Sequence, residues 1–259
     1  MKYLFFLIFT FTFAQQTKFV DFKTVLGKIQ INPTERAVSG DVFYNFEVLK
    51  SIDTIKIDAQ NMDFSDLTLN GKKVKFVNTK KQLQIIFPFK KGKNTLTFQY
   101  LAKPKQTMYF IGSEVNDNLQ IWTQGQGKYT SHWFPSFDDV NEKVVFNLNI
   151  AYHKYYQVIS NGILKSKSEL DELSVWHYQM QKPMSSYLLM LAIGKFEKNS
   201  QKAKSGISLE MYFEPKDKAK FEPTYRDSKT MFDFLEKEIG VKYPWQIYRQ
   251  APVRDFLYA

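Results

Sequence analysis

Apolar and polar residues alternate through most of this chain. Val42-Phe43-Tyr44-Asn45-Phe46-Glu47-Val48 and Thr54-Ile55-Lys56-Ile57-Asp58-Ala59 have the period of two that sends successive side chains to opposite faces of a sheet. Segments 82–87 and 94–100 continue the pattern around the turn Lys90-Lys91-Gly92-Lys93. Asn70-Gly71, between Leu67-Thr68-Leu69 and Val74-Lys75-Phe76-Val77, is a strong hairpin signal. Short strands at this spacing from Phe19 to Tyr100 predict a β-sandwich or an open, curved pair of sheets.

A second set of strands follows. Segments 119–123 and 144–150 alternate and enclose a stretch, 124–139, whose glycines, proline, carboxamides and paired acids read as a structured loop on a rigid sheet. Segment 155–160 ends at the turn Asn161-Gly162; 174–180 and 187–193 are further strands, the last apolar enough for burial on both faces. After about Ser205 the pattern changes. Segment 207–213 is a strand, Pro223 then opens a helical stretch in which Met231, Phe232, Leu235 and Ile239 share a face expected to be core, and Gly240 ends it. Tyr243-Pro244-Trp245 leads into a last strand-like segment.

Composition narrows the setting. Met1-Lys2-Tyr3 followed by an apolar run to Ala14 reads as a secretory signal peptide, too short for the roughly 20 residues that span a bilayer, with an uncleaved anchor as the weaker alternative. The expected location is exported, periplasmic or extracellular, with no stable membrane span once the leader is removed. No cysteine follows Ala14, so no lipoprotein anchor is expected, and with no cysteine at all the fold rests on core burial, to which 24 Phe, 15 Tyr and 4 Trp contribute. The net charge of +10 is carried by Lys scattered through turns and strand faces, with Arg only at 36, 226, 249 and 254. Nucleic-acid readers favour the bidentate fork of Arg, so no nucleic-acid partner is expected; the lysines read as a solvated surface, with weak attraction to acidic polymers or membrane faces as a secondary reading.

The loop carries a resemblance. Gln124-x-Gln126, then Phe134-Pro135-x-Phe137-Asp138-Asp139, resembles the amino-terminal domain of the aminopeptidase-N-like zinc metallopeptidases, the gluzincin group that includes leukotriene hydrolase. Ser160-Asn161-Gly162, 183–188, 192–196, Tyr243-Pro244-Trp245 and Val253-Arg254-Asp255-Phe256 match in the same order. The resemblance implies a mainly β fold: residues 1–14 a leader, 15–204 a saddle-like β-sandwich domain, and 205–259 the first strands and helix of a thermolysin-like α/β catalytic domain. It implies a zinc-dependent aminopeptidase acting on peptides with a free amino terminus. Gln126 would hold the substrate ammonium, Gln124 would line the same pocket, and Tyr258 would stand at the pocket wall. The remainder of the catalytic domain would be the partner of this portion.

The family's zinc helix, H-E-x-x-H, is not in this sequence, and His132, His153 and His177 have no spacing that would place two on one helical face. No metal ligand is therefore assigned here, zinc belongs to the complete enzyme, and the chain alone is expected to be inactive. Asp138 and Asp139 are adjacent and point to opposite faces, which suits capping of the loop better than a paired-acid site. The alternative reading is a non-catalytic exported β-sandwich that binds protein or saccharide on exposed Trp and Tyr.

Overall fold

A computed structural model describes residues 15–256; the leader assigned to 1–14, and Tyr258, lie outside them. The largest sheet has nine strands. Its order runs Ile163–Leu170, Leu173–Gln179, Lys143–His153, Val20–Asn32, Ala37–Val48, Gly92–Ala102, Asp63–Leu69, Lys72–Lys73, with Met184–Ser185 pairing to the side of Lys143–His153. Only the central pair, Val20–Asn32 with Lys143–His153, runs parallel in this sheet. That pairing brings the first half of the chain against the second.

Two smaller sheets cover one face. A three-stranded sheet, Ile52–Asp58, Gln82–Phe89 and Phe76–Asn78, contributes Ile55, Ile57, Leu83 and Ile85 to the core. A four-stranded sheet, Gln157–Ser160, Leu191–Gly194, Gln120–Thr123 and Met108–Ile111, contributes Val158, Ile193 and Ile121. Between the layers lies an aromatic seam: the Phe22 ring stands 5.1 Å from Phe46, 5.2 Å from Tyr44 and 4.4 Å from Phe137. Rings in offset or edge-on contact add to area burial, and with no disulfide this seam holds the sandwich. The expected β-sandwich is present, and the Asn70-Gly71 turn has both residues at positive φ, 51° and 76°. Trp133 and Trp176 are buried in it, Trp245 packs against it, and Trp122 is buried in a separate cluster with Ile159, Ala192 and Tyr212, so tryptophan supplies core here and no exposed binding platform.

The chain then changes layer. Glu197–Lys202 pairs antiparallel with Ser208–Phe213, which pairs in parallel with Ile247–Gln250. The crossover between those parallel strands is the helix Ser228–Ile239, ended by Gly240 at φ 70°. Pro223 falls in a short preceding helix, Phe221–Tyr225. Two expectations change here. The strand expected from Tyr187 begins at Leu191, because Ser186–Leu188 forms a 3₁₀ turn closed by the Leu189 N–H on the Ser186 carbonyl at 2.9 Å. The helix has the expected period, but Phe232 alone of its apolar stripe is buried: Met231 is 54%, Leu235 54% and Ile239 66% exposed. Periodicity shows that a face will be covered, without showing by which residues.

Glu142 is an acid in the core that the pattern did not mark. It stands just before Lys143–His153, is 4% exposed, and its Oε1 accepts the Phe22 N–H at 3.1 Å while Oε2 has no protein partner. Burial pushes its carboxyl up to about 8 from 4.5. An acid raised in the folded state favours the protonated form, so stability is full below 4.5 and falls as pH climbs from there towards 8. Glu142→Gln is expected to unfold in urea like the parent at pH near 4, and to be more stable by at least about 1 kcal/mol at pH 8. A difference that does not change with pH would contradict this.

Candidate functional site

Gln120–Thr123 is buried along its whole length between Met108–Ile111 and Leu191–Gly194. The Gln124 N–H still reaches the Thr107 carbonyl at 2.8 Å, which extends the ladder by one residue. At Gly125 any Cβ would collide with the Thr130 hydroxyl and the Tyr187 carbonyl, so only glycine fits. Gly127 and Lys128, at φ 88° and 72°, then reverse the chain, and the Tyr129 N–H closes the turn on the Gly125 carbonyl at 3.1 Å. Thr130 ties it down, its hydroxyl donating to the Ser186 carbonyl at 2.9 Å. On this turn Gln124 is half-buried and Gln126 exposed, and Gln124 Nε2 donates to Gln126 Oε1 at 3.3 Å. The structure brings these two carboxamides together.

The rest of the loop is a plug. Trp133, Phe134 and Phe137 are buried, and the Tyr44 hydroxyl donates to the Pro135 carbonyl at 2.7 Å. Asp58, on Ile52–Asp58, exchanges backbone hydrogen bonds with Ser136 at 2.9 and 3.0 Å. Its carboxylate accepts the Asp138 N–H at 2.8 Å and the Gln82 Nε2 at 2.8 Å. Asp139 Oδ1 caps the loop through the Asn141 N–H at 2.9 Å and side-chain amide at 3.0 Å. Burial, followed by the Asp58 charge, pushes the Asp138 carboxyl up to about 6. Asp139 therefore caps the loop through its side chain and Asp138 is held through its backbone N–H by Asp58, a residue that the sequence did not mark.

The last described residues run beside the same strand. Gln120 is 2% exposed and makes two opposed bonds: Oε1 accepts the Arg254 N–H at 2.9 Å and Nε2 donates to Glu214 Oε1 at 3.0 Å. Trp122 Nε1 donates to the Arg254 carbonyl at 3.0 Å, and its ring lies 4.3 Å from Tyr109 and 5.5 Å from Phe256. A cleft of about 380 Å³ opens here, with Trp122, Thr123, Met190, Tyr225, Pro252 and Phe256 among its walls. Gln124 and Gln126 follow directly from Thr123 at its rim and do not line it.

Arg249 anchors the strand Ile247–Gln250. Its Nε donates to Glu210 Oε2 at 2.7 Å, and Nη1 donates to the Ser160 and Gly162 carbonyls at 3.0 and 2.6 Å. The guanidinium lies 5.4 Å over the Tyr178 ring. Burial opposes ionisation of Glu210, but Lys198 and Arg249 together outweigh it and hold its carboxyl below the ordinary range.

The histidines stand apart. His132 Nε2 meets the Gln106 side-chain nitrogen at 3.1 Å, and burial holds its pKa down. His153 lies 3.9 Å from Glu172. Among the described residues no group of three or more His, Asp or Glu could hold a metal ion. The residues present do not fit a zinc centre.

The profile of the family described as the peptidase M1 N-terminal domain matches residues 27–188. The chain belongs to this family. The M1 amino-terminal module is 29% identical over 124 residues to glutamyl aminopeptidase of Bos taurus, covering 48% of this chain and 13% of that protein. It is 26% identical over 198 residues to tricorn protease-interacting factor F2 of Thermoplasma acidophilum, covering 76% and 22%. The fold is similar to that of an M1 zinc metallopeptidase from Deinococcus radiodurans, with a TM-score of 0.79, 17% identity, and coverage of 92% of this chain and 58% of that one. The sequence matches to the relatives of this kind span 13% to 27% of their length.

If Gln120 secures the terminal segment, Gln120→Leu leaves the Arg254 N–H without its partner and removes one hydrogen bond from Glu214, which keeps Lys216 and the Arg254 guanidinium, and lowers the free energy of unfolding in urea by about 1–3 kcal/mol. Gln126→Leu, on the exposed turn, changes it by less than about 0.5 kcal/mol. Equal effects would contradict the assignment.

Proposed function

We propose that this module is the amino-terminal portion of an exported zinc aminopeptidase that removes residues from the free amino terminus of peptides. Residues 15–204 form the sandwich domain and 205–259 open the catalytic domain. Family membership supports the reading, together with a second core built by Leu209, Met211, Tyr225 and Phe232 beyond the sandwich. The exposed stripe Met231, Leu235 and Ile239, beside Tyr243 and Tyr248 in a groove of about 470 Å³, is the surface on which the remainder of the catalytic domain would pack. Zinc chemistry in that enzyme belongs to residues other than the ones described here.

In this reading the module positions substrate. Gln126 Oε1 accepts a hydrogen bond from the substrate ammonium, replacing the bond from Gln124 Nε2, and Gln124 lines the approach. The observation that carries it is the meeting of these two carboxamides on a turn continuous with Trp122 and Thr123, whose cleft the terminal segment walls. A neutral amide complements an ammonium less than a carboxylate does. Tyr258, two residues beyond Phe256, is proposed as a further wall.

In the complete enzyme, Gln126→Ala is expected to lower kcat/KM for short peptides by the equivalent of about 1–2 kcal/mol, and Gln126→Glu to restore it. Unchanged kcat/KM for dipeptides would remove Gln126 from the site. The chain of residues 15–259 alone is expected to release no amino acid from aminoacyl reporters and to retain no stoichiometric zinc after dialysis. Chelator-sensitive release would overturn that.

A further inference from the structure

Positive charge is segregated along this chain. Residues 67–113 hold ten lysines and no Asp, Glu or Arg, while the rest of the chain holds 26 basic and 26 acidic residues, so the whole net charge of +10 comes from this stretch. Folding gathers most of it at one end of the sandwich. Asn70, in the hairpin turn, bonds through its carboxamide to Asn94 at 2.8 Å and to the Thr95 N–H at 2.8 Å, which sets Lys72 and Lys73 near Lys93. Lys90 and Lys91 form the neighbouring turn with Gly92, and the Ile86 N–H donates to the Lys75 carbonyl at 3.2 Å. A Cβ at Gly71 or Gly92 would meet nothing within 4 Å, so both turns stand clear of the body.

Most of these lysines have no ion-pair partner among the described residues, although Glu47 lies across the ladder from Lys93. Lys80 pairs with Asp63 and Lys103 with Glu35, but among the described residues Lys72, Lys73, Lys75, Lys90, Lys91 and Lys93 are exposed and make no ion pair. Apolar side chains stand exposed among them: Phe76 and Val77 on Phe76–Asn78, Ile86 and Phe87 on the adjoining Gln82–Phe89, and Leu49 just after Val48, which lies opposite Gly92. Lysines read as scattered along the sequence therefore share a rim with exposed aromatic and aliphatic groups.

We propose that this end of the module docks on the surface of an anionic lipid bilayer, with the lysine ammoniums at the headgroups and Phe76 and Phe87 entering the interface. A soluble polyanion would satisfy the charges but gains nothing from exposed apolar groups, whereas a bilayer surface takes both. The absence of Arg in residues 67–113 fits diffuse attraction by point charges on flexible stems and does not fit bidentate reading of phosphates. Docking would be peripheral, since no helix among the described residues is long and apolar enough to cross a membrane. The proposal stands on charge and exposure alone and is independent of the peptidase reading.

Cosedimentation of the purified chain with vesicles tests it. Binding is expected to vesicles of phosphatidylcholine with about a third phosphatidylglycerol and not to phosphatidylcholine alone, and to weaken steeply with salt. The fourfold variant Lys72→Glu, Lys75→Glu, Lys90→Glu, Lys91→Glu is expected to lose at least about a hundred-fold in affinity. Phe87→Ser should weaken vesicle binding while leaving binding to dextran sulfate unchanged. Equal binding to both vesicle types, an unaffected fourfold variant, or vesicle binding indifferent to Phe87→Ser would overturn the proposal, the last by marking a general polyanion surface. Both variants change exposed side chains, and unaltered thermal melting checks that each is folded.

Discussion

Arg249 and Glu210 form a buried ion pair on which the geometry of the second half of the chain depends. Both side chains are nearly enclosed, at 9% and 10% exposure, where an unpaired charge is very costly. The cost is offset because the partners are numerous. Glu210 receives Arg249, the Tyr212 hydroxyl at 3.0 Å and Lys198, while Arg249 also donates to two carbonyls of the Ser160–Gly162 turn and stacks on Tyr178. Gly162 is needed there, since at φ 81° a Cβ would strike the Gln179 carbonyl. A strand from the second layer is thereby fixed to the sandwich by charge and shape together.

From that joint the geometry follows outward. With Ile247–Gln250 held, residues 251–256 are led along Gln120–Thr123, and Gln120 and Trp122 fasten them there. On the opposite side, Asp58, Tyr44 and the aromatic plug hold the loop down so that the Gln124–Gln126 turn projects from a rigid base. The turn is held from below by the sandwich core, and the strand that leads into it is flanked by the terminal segment. A site assembled this way can be exposed and still have a fixed geometry.

The local patterns were legible because they are short-range. Alternation marked the strands, Asn70-Gly71 marked a hairpin that formed with both residues left-handed, and Gly240 marked the end of a helix that ends there. The long-range pairings were not legible. Asp58 and Ser136 meet through a register set by the whole sandwich, and Glu142 falls between the loop 124–139 and the strand 144–150, outside either pattern, although the fold buries it. Nothing in the local pattern around Arg249 marks its pairing with Glu210, 39 residues away. The helix stripe of Met231, Leu235 and Ile239 had the period of a core face but is exposed, since amphipathic spacing is the same whichever residues cover it. The lysines seemed dispersed because turns separate them in sequence, and pairing of the strands brings those turns together. The two glutamines were singled out only through the family resemblance of the loop that carries them, whereas Gln120 and Trp122 were hidden in an ordinary strand pattern.

Hydrogen exchange measured by mass spectrometry on Glu210→Gln tests the central role of the joint. With the Arg249 charge left unpaired, the amides of Ile247–Gln250 and of Arg254 are expected to lose protection together while those of Val20–Asn32 keep it. Protection unchanged in Ile247–Gln250, or lost equally in both sheets, would show that the ion pair does not fix the second layer to the first.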